Sequence, residues 1–88
     1  MKFEWDEDKA ATNARKHGVT FEQAKEAFAD PSALEVLDTS VDEERWRLLG
    51  RAEIGLLVVV YTERARSIRI ISARLADKRE REAYHEQE

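Results

Sequence analysis

Hydrophobic and polar positions change their period once along the chain. Up to residue 30 the spacing is helical. Asp6 is placed as an N-cap, and Glu7 and Asp8 put carboxylates in a first turn, where the helix dipole favours them. Gly18 fits the left-handed position that stops a helix after Lys16 or His17. In "VTFEQA" (19–24), Thr20 and Gln23 have capping-box spacing and Val19 is set to staple onto Ala24. Phe21, Ala24 and Phe28 fall at i, i+3 and i+7, so a second helix buries one narrow stripe. Asp30-Pro31 ends it, because the residue before proline avoids helical dihedrals.

Beyond residue 33 the period shortens. "LEVL" (34–37) reads as a short strand, and "ERWRLL" (44–49) alternates charged and apolar side chains. Gly50 and Gly55 flank a predicted turn. "LLVVVYT" (56–62) is a continuous β-branched run, the mark of a central strand covered on both faces. "SIRIISA" (67–73) is its hairpin partner, with a turn near Arg64–Arg66. Asp77 caps a last helix with Glu80 at the capping-box position, and "YHEQE" (84–88) is expected to fray. The pattern predicts one α+β domain over 1–88: two N-terminal helices, an antiparallel sheet of three to four strands, and a C-terminal helix.

Composition narrows the chemistry. The absence of cysteine among the 88 residues removes disulfides, thiolate zinc sites and a cysteine nucleophile, and suits a reducing cytosol. The longest apolar run, Ile54–Tyr61, is too short to cross a bilayer, and "MKFEWDEDK" lacks the apolar core of a secretory signal. A cytoplasmic protein without membrane contact is the expectation. The net charge of −4 hides an asymmetry: residues 1–44 hold five Lys/Arg against twelve Asp/Glu, and residues 45–88 hold ten against seven. A basic segment inside an acidic chain makes a local anion site, or pairs with the acidic half.

The densest basic stretch is "TERARSIRIISAR" (62–74), with Arg64, Arg66, Arg69 and Arg74. Strict alternation along 68–74 sets Arg69 and Arg74 on opposite sheet faces. These arginines read either as a solvated strand rim or as a phosphate-binding cluster. The second candidate is "NARKHG" (13–18): with Lys9 one turn before it, Asn13 and Lys16 or His17 share a helix face. The same lysine and histidine also suit the negative end of a helix dipole; functionally, His17 is a proton-transfer group and Lys16 a phosphate contact. The acids of "WDED" (5–8) are consecutive, so they splay around a helix start instead of converging on a cation, and no metal or other cofactor is expected.

Taken together and in order, "FEWDEDKAATNARKHGVTFEQA" (3–24), "FADP" (28–31), "LLVVVYTER" (56–64), "IRIISAR" (68–74) and the "ERxxY" pattern of 80–84 resemble the BrnT family of bacterial toxins. The resemblance covers nearly the whole chain and is weakest over 35–53. It implies a RelE-like fold and a ribonuclease toxin that cleaves RNA without metal and arrests growth. It also implies a BrnA-like ribbon-helix-helix antitoxin as partner, with promoter DNA reached only through that antitoxin. On the family's motif positions, Arg64 and Arg74 are assigned to the phosphate, with Lys16 and His17 as electrostatic or proton-transfer partners. Glu63, Arg69, Arg81 and Tyr84 form a second tier. The competing reading is a catalytically silent module that acts only through complex formation and co-repression. The chain's acidic balance favours that alternative, since the free protein binds bulk RNA poorly.

Overall fold

The computed structural model describes residues 1–38 and 44–87. The elements run β1 (Lys2–Glu4), α1 (Glu7–His17), α2 (Phe21–Ala27), β2 (Leu34–Asp38), β3 (Arg45–Ala52), β4 (Gly55–Arg64), β5 (Ser67–Leu75) and α3 (Lys78–Glu86). The helix-start signals act as read. Asp6 accepts from the Lys9 N–H at 3.0 Å, and the Thr20–Gln23 capping box closes with both bonds. Gly18, at φ 70°, donates its N–H to the Ala14 carbonyl and ends α1.

The sheet has five strands in the order β1-β5-β4-β3-β2, which puts the β-branched run of β4 at the centre. This corrects the expected three to four antiparallel strands. The additional strand β1 joins β5 in parallel, Lys2 opposite Ser67 and Glu4 opposite Arg69, and makes the sheet mixed. Three residues carry no measurable period, and their partner lies far along the chain, so local pattern is blind to them.

Helices α1 and α2 cover one face of the sheet. Val19, Phe21, Ala24 and Ala27 pack there against Leu57, Val59, Tyr61, Ile70 and Ala73, all buried. Phe28 bridges the layers edge-on, with ring centroids 5.1 Å from Phe3 and 5.0 Å from Tyr61. The turn falls at Glu53-Ile54, between Gly50 and Gly55 as expected, and Gly50 itself lies inside β3. A Cβ at Gly50 would stand 2.6 Å from the Ala27 carbonyl oxygen, so the glycine is there to let the end of α2 approach the strand.

The C-terminal helix is anchored where fraying was expected. Tyr84 is 1% exposed, its hydroxyl donates to Asp30 Oδ2 at 2.6 Å, and the Arg51 guanidinium lies 5.5 Å from its ring centroid. Gln87 donates to the Ser32 carbonyl. Only Glu88 of that tail lies outside the described residues. Among the described residues no helix is long and apolar enough to cross a membrane.

One buried polar side chain joins the helical layer to the sheet. Asn13 Nδ2 donates to the carbonyls of Ala73 (2.8 Å) and Val19 (3.0 Å), and its Oδ1 accepts from the Ala73 N–H at 3.1 Å. Strand β1 reaches only Ser67–Arg69 of β5, so the Asn13 amide takes over the same sheet edge farther along. Asn13→Ala removes these bonds and leaves buried amide groups of Ala73 without partners. A loss of about 2–4 kcal/mol is expected in urea unfolding; a loss below about 1 kcal/mol would show that water replaces the side chain.

Candidate functional site

Strand β5 holds one residue more than the stretch of β4 it faces. Their pairing runs in one register from Leu57↔Leu75 to Val60↔Ser72 and resumes at Tyr61↔Ile70, which leaves Ile71 as a β-bulge. A bulge reverses the alternation beyond it. Arg69 faces Thr62 and Arg74 faces Val58, and Thr62 and Val58 share one side of the regular strand β4. The two arginines therefore lie on the same sheet face, correcting the expectation that strict alternation separates them.

That face is the one turned away from α1 and α2. Strand β3 contributes Arg47, opposite Val60, and by alternation Arg45, opposite Asp38. Helix α3 covers one end, leaving a cleft of about 220 Å³ lined by Leu34, Val36, Arg47, Leu49, Val58, Glu80 and Ala83. Arg45 and Arg47 were not among the sequence candidates, although the alternation of "ERWRLL" already put them two residues apart on one face.

Arg74 is engaged. Its Nη1 and Nη2 donate to Glu80 Oε1 and Oε2 at 2.8 and 2.9 Å, a bidentate pair. Glu80 Oε1 also accepts from the Asp77 N–H at 2.8 Å and completes the capping box of α3, so one carboxylate starts the helix and ties it to the sheet. The hydrogen bonds from Arg74 outweigh burial and hold the Glu80 carboxyl at about 2, with the Asp77 N–H and the charge of Arg47 adding to the effect. The same pair raises Arg74 above its usual range.

Arg64 and Arg66 are exposed at and beside the β4–β5 turn, where Ala65 adopts φ 49°. Arg64 faces Ser67 and Arg74 faces Val58, six positions along β4, about 20 Å of strand. They stand at opposite ends of the face and do not converge on one phosphorus atom. Glu63, by alternation, points to the side of Tyr61, away from the arginines. Arg69 donates from Nη1 to Glu4 Oε2 at 2.9 Å. Arg81 donates to the Ala76 carbonyl at 2.9 Å.

Tyr84 presents nothing to solvent. Its bond to Asp30 and its burial push the phenol up. Burial opposes ionisation of Asp30, but hydrogen bonds from the Tyr84 hydroxyl and the N–H groups of Arg51 and Ser32 hold its carboxyl below the usual value.

Lys16 and His17 line a separate groove of about 310 Å³ between α1 and β5, together with Asp8, Lys9, Thr12, Asn13, Ile71 and Ser72. Ser72 faces Val60, so it belongs by register to the arginine face as well. It marks where groove and face meet across the edge of β5.

The Glu80 pair gives stability a sign with pH. A carboxyl held near 2 in the fold, against 4.5 for a free glutamate, contributes fully above about pH 5 and loses its contribution as pH falls from 4.5 towards 2. Glu80→Gln is expected to lower the urea midpoint at pH 7 more than at pH 3; an equal loss at both would mean that the charge is not what binds α3.

The matches with known proteins follow this geometry. No curated protein matches the chain. The family model of the ribonuclease toxin BrnT, of type II toxin–antitoxin systems, matches residues 5–80, from the residue after β1 to the Glu80 that holds Arg74. The match takes in both layers, the bulged strand and the whole arginine-bearing face, and the chain belongs to the BrnT ribonuclease toxins of type II toxin–antitoxin systems.

Proposed function

We propose that the chain is a metal-independent endoribonuclease with a RelE-like fold, and that RNA lies across the face bearing Arg47, Arg64, Arg69 and Arg74. The observation that carries this reading is the bulge at Ile71, which gathers β5 arginines with those of β3 on one open face of an acidic protein. A BrnA-like ribbon-helix-helix antitoxin neutralises it, and promoter DNA is contacted only through that partner.

The reaction needs no group beyond side chains. The 2′-hydroxyl loses its proton and attacks the neighbouring phosphorus, the P–O5′ bond breaks, and the 5′-oxygen takes up a proton, leaving a 2′,3′-cyclic phosphate and a 5′-hydroxyl. Negative charge grows on the non-bridging oxygens, and fixed guanidinium groups stabilise it without reorganisation. Arg64 and Arg74 act on different phosphates of one strand, because the sheet separates them. Lys16 and His17 act from the groove across Ser72, His17 as the proton-transfer group and Lys16 as a charge.

The silent binding module is favoured by one observation: Arg74 already has its charge matched by Glu80. Incubation of the purified chain with RNA in chelator separates the two readings. Cleavage to cyclic-phosphate ends is expected, with a loss of at least about 100-fold in the double variant Arg47→Ala/Arg64→Ala at unchanged melting temperature. Abolition of cleavage by chelator would reject metal independence, full activity of the double variant would reject the arginine face, and intact RNA with normal growth would leave the binding module.

A further inference from the structure

The groove between α1 and β5 takes two rows of side chains from α1. Asp8, Thr12 and Lys16 recur at every fourth residue, and so do Lys9, Asn13 and His17, so each set runs along one side of the helix. The second row is the inner one. Its middle member, Asn13, is 6% exposed and bonded to Ala73, while Lys9 and His17 flank it one turn away on either side and are exposed. Ile71, the bulged residue, and Ser72 form the β5 wall.

The cations of this open groove are left without carboxylates. The fold pairs Lys25 with Glu22, Arg69 with Glu4 and Arg74 with Glu80, and among the described residues no ion pair takes Lys9, Lys16 or His17. Carboxylates are plentiful, since the chain carries 19 acidic residues against 15 basic ones. Lys16 and His17 stand in the last turn of α1, where the helix dipole favours positive charge. Lys9 does not. It follows Glu7 and Asp8 in the first turn, where the dipole opposes a cation. Asp6 accepts the Lys9 backbone N–H, and the ammonium acts on that carboxylate only as a charge at a distance. Helix stability does not account for a lysine at this position, whereas an anionic ligand does.

Asp8 narrows the class of ligand. A bare phosphate gains nothing from a carboxylate on the groove wall, and neither does an acidic peptide. A nucleotide does gain: its phosphate meets the lysines, and the N–H groups of its base donate to Asp8, which only accepts. Ile71 offers the base an apolar surface, and the Thr12 and Ser72 hydroxyls suit a ribose. A volume of about 310 Å³ is that of a small-ligand site. Ser72 also belongs to the arginine face, so a strand lying on that face continues into the groove.

We infer that the groove is a binding subsite for one RNA nucleotide next to the cut, with Lys9 on its phosphate and Asp8 on its base; the inference rests on the ribonuclease reading for its choice of ligand. Lys9 binds and transfers no proton.

The test uses the full chain and a 2′-O-methyl RNA oligonucleotide, which has no free 2′-hydroxyl and is not cut by the proposed route. Lys9→Met keeps an unbranched side chain and removes its charge. It is expected to bind about fivefold more weakly at an unchanged melting temperature. The slope of log affinity against log salt concentration falls by about 0.7, the share of one phosphate on a single strand. Lys9→Arg restores both. In the parent, the backbone amide signals of Asp8, Thr12 and Ser72 shift on titration. Parent-like affinity and slope in Lys9→Met overturn the subsite alone where the parent still cuts RNA. Weaker binding with an unchanged slope overturns it as well, because no phosphate contact has then been lost. Shifts that appear with polyglutamate and not with the oligonucleotide give the groove to an acidic protein segment. The full set of shifts with inorganic phosphate alone overturns the assignment of Asp8 to a base. The fivefold loss and the lower slope in a chain that cuts no RNA keep the subsite and reject the ribonuclease reading.

Discussion

The grip of Asn13 on Ala73 is the interaction from which the rest of the architecture follows. A buried amide is costly unless satisfied, and this one is satisfied at both ends, by the backbone of the strand it braces and by the carbonyl that follows its own helix. It fixes α1 against β5 at Ala73, while β1 fixes the same edge at Ser67–Arg69. Between these two supports lies the extra residue, Ile71. The arrangement lets β5 carry a bulge without losing its register against β4, and the bulge decides which arginines share a face.

The other end of the face depends on Glu80. The carboxylate serves as helix cap and as the partner of Arg74, so the position of α3 and the availability of one arginine are the same variable. Tyr84, Asp30 and Arg51 hold the helix farther along through a hydroxyl–carboxylate bond and a stacked guanidinium. Residues that look functional in the sequence, a tyrosine and an arginine near a C-terminus, are here engaged in attaching a helix to a sheet.

Local signals were legible and non-local ones were not. Capping residues at Asp6, Thr20 and Asp77 act over three positions, and the central strand is written in a run of β-branched residues, so both were readable. Strand β1 depends on pairing with Ser67–Arg69, the close approach at Gly50 on the path of α2, and the bulge on a count of residues between two distant supports. None of these leaves a period in the sequence. The site suffered most, because a single inserted residue changes the face of every side chain beyond it. Arg45 and Arg47 were visible in an alternating segment but set aside for the denser cluster downstream.

The parallel pairing of β1 with β5 has a consequence for the order of events during synthesis. Lys2–Glu4 and Asn13 are made early, but their partners at Ser67–Arg69 and Ala73 come some sixty positions later. A ribosome adding roughly 5–20 residues per second leaves those early segments waiting for seconds with nothing to close upon. The arginine face therefore cannot be complete until residue 74 has emerged, however early the β3–β4 pair forms.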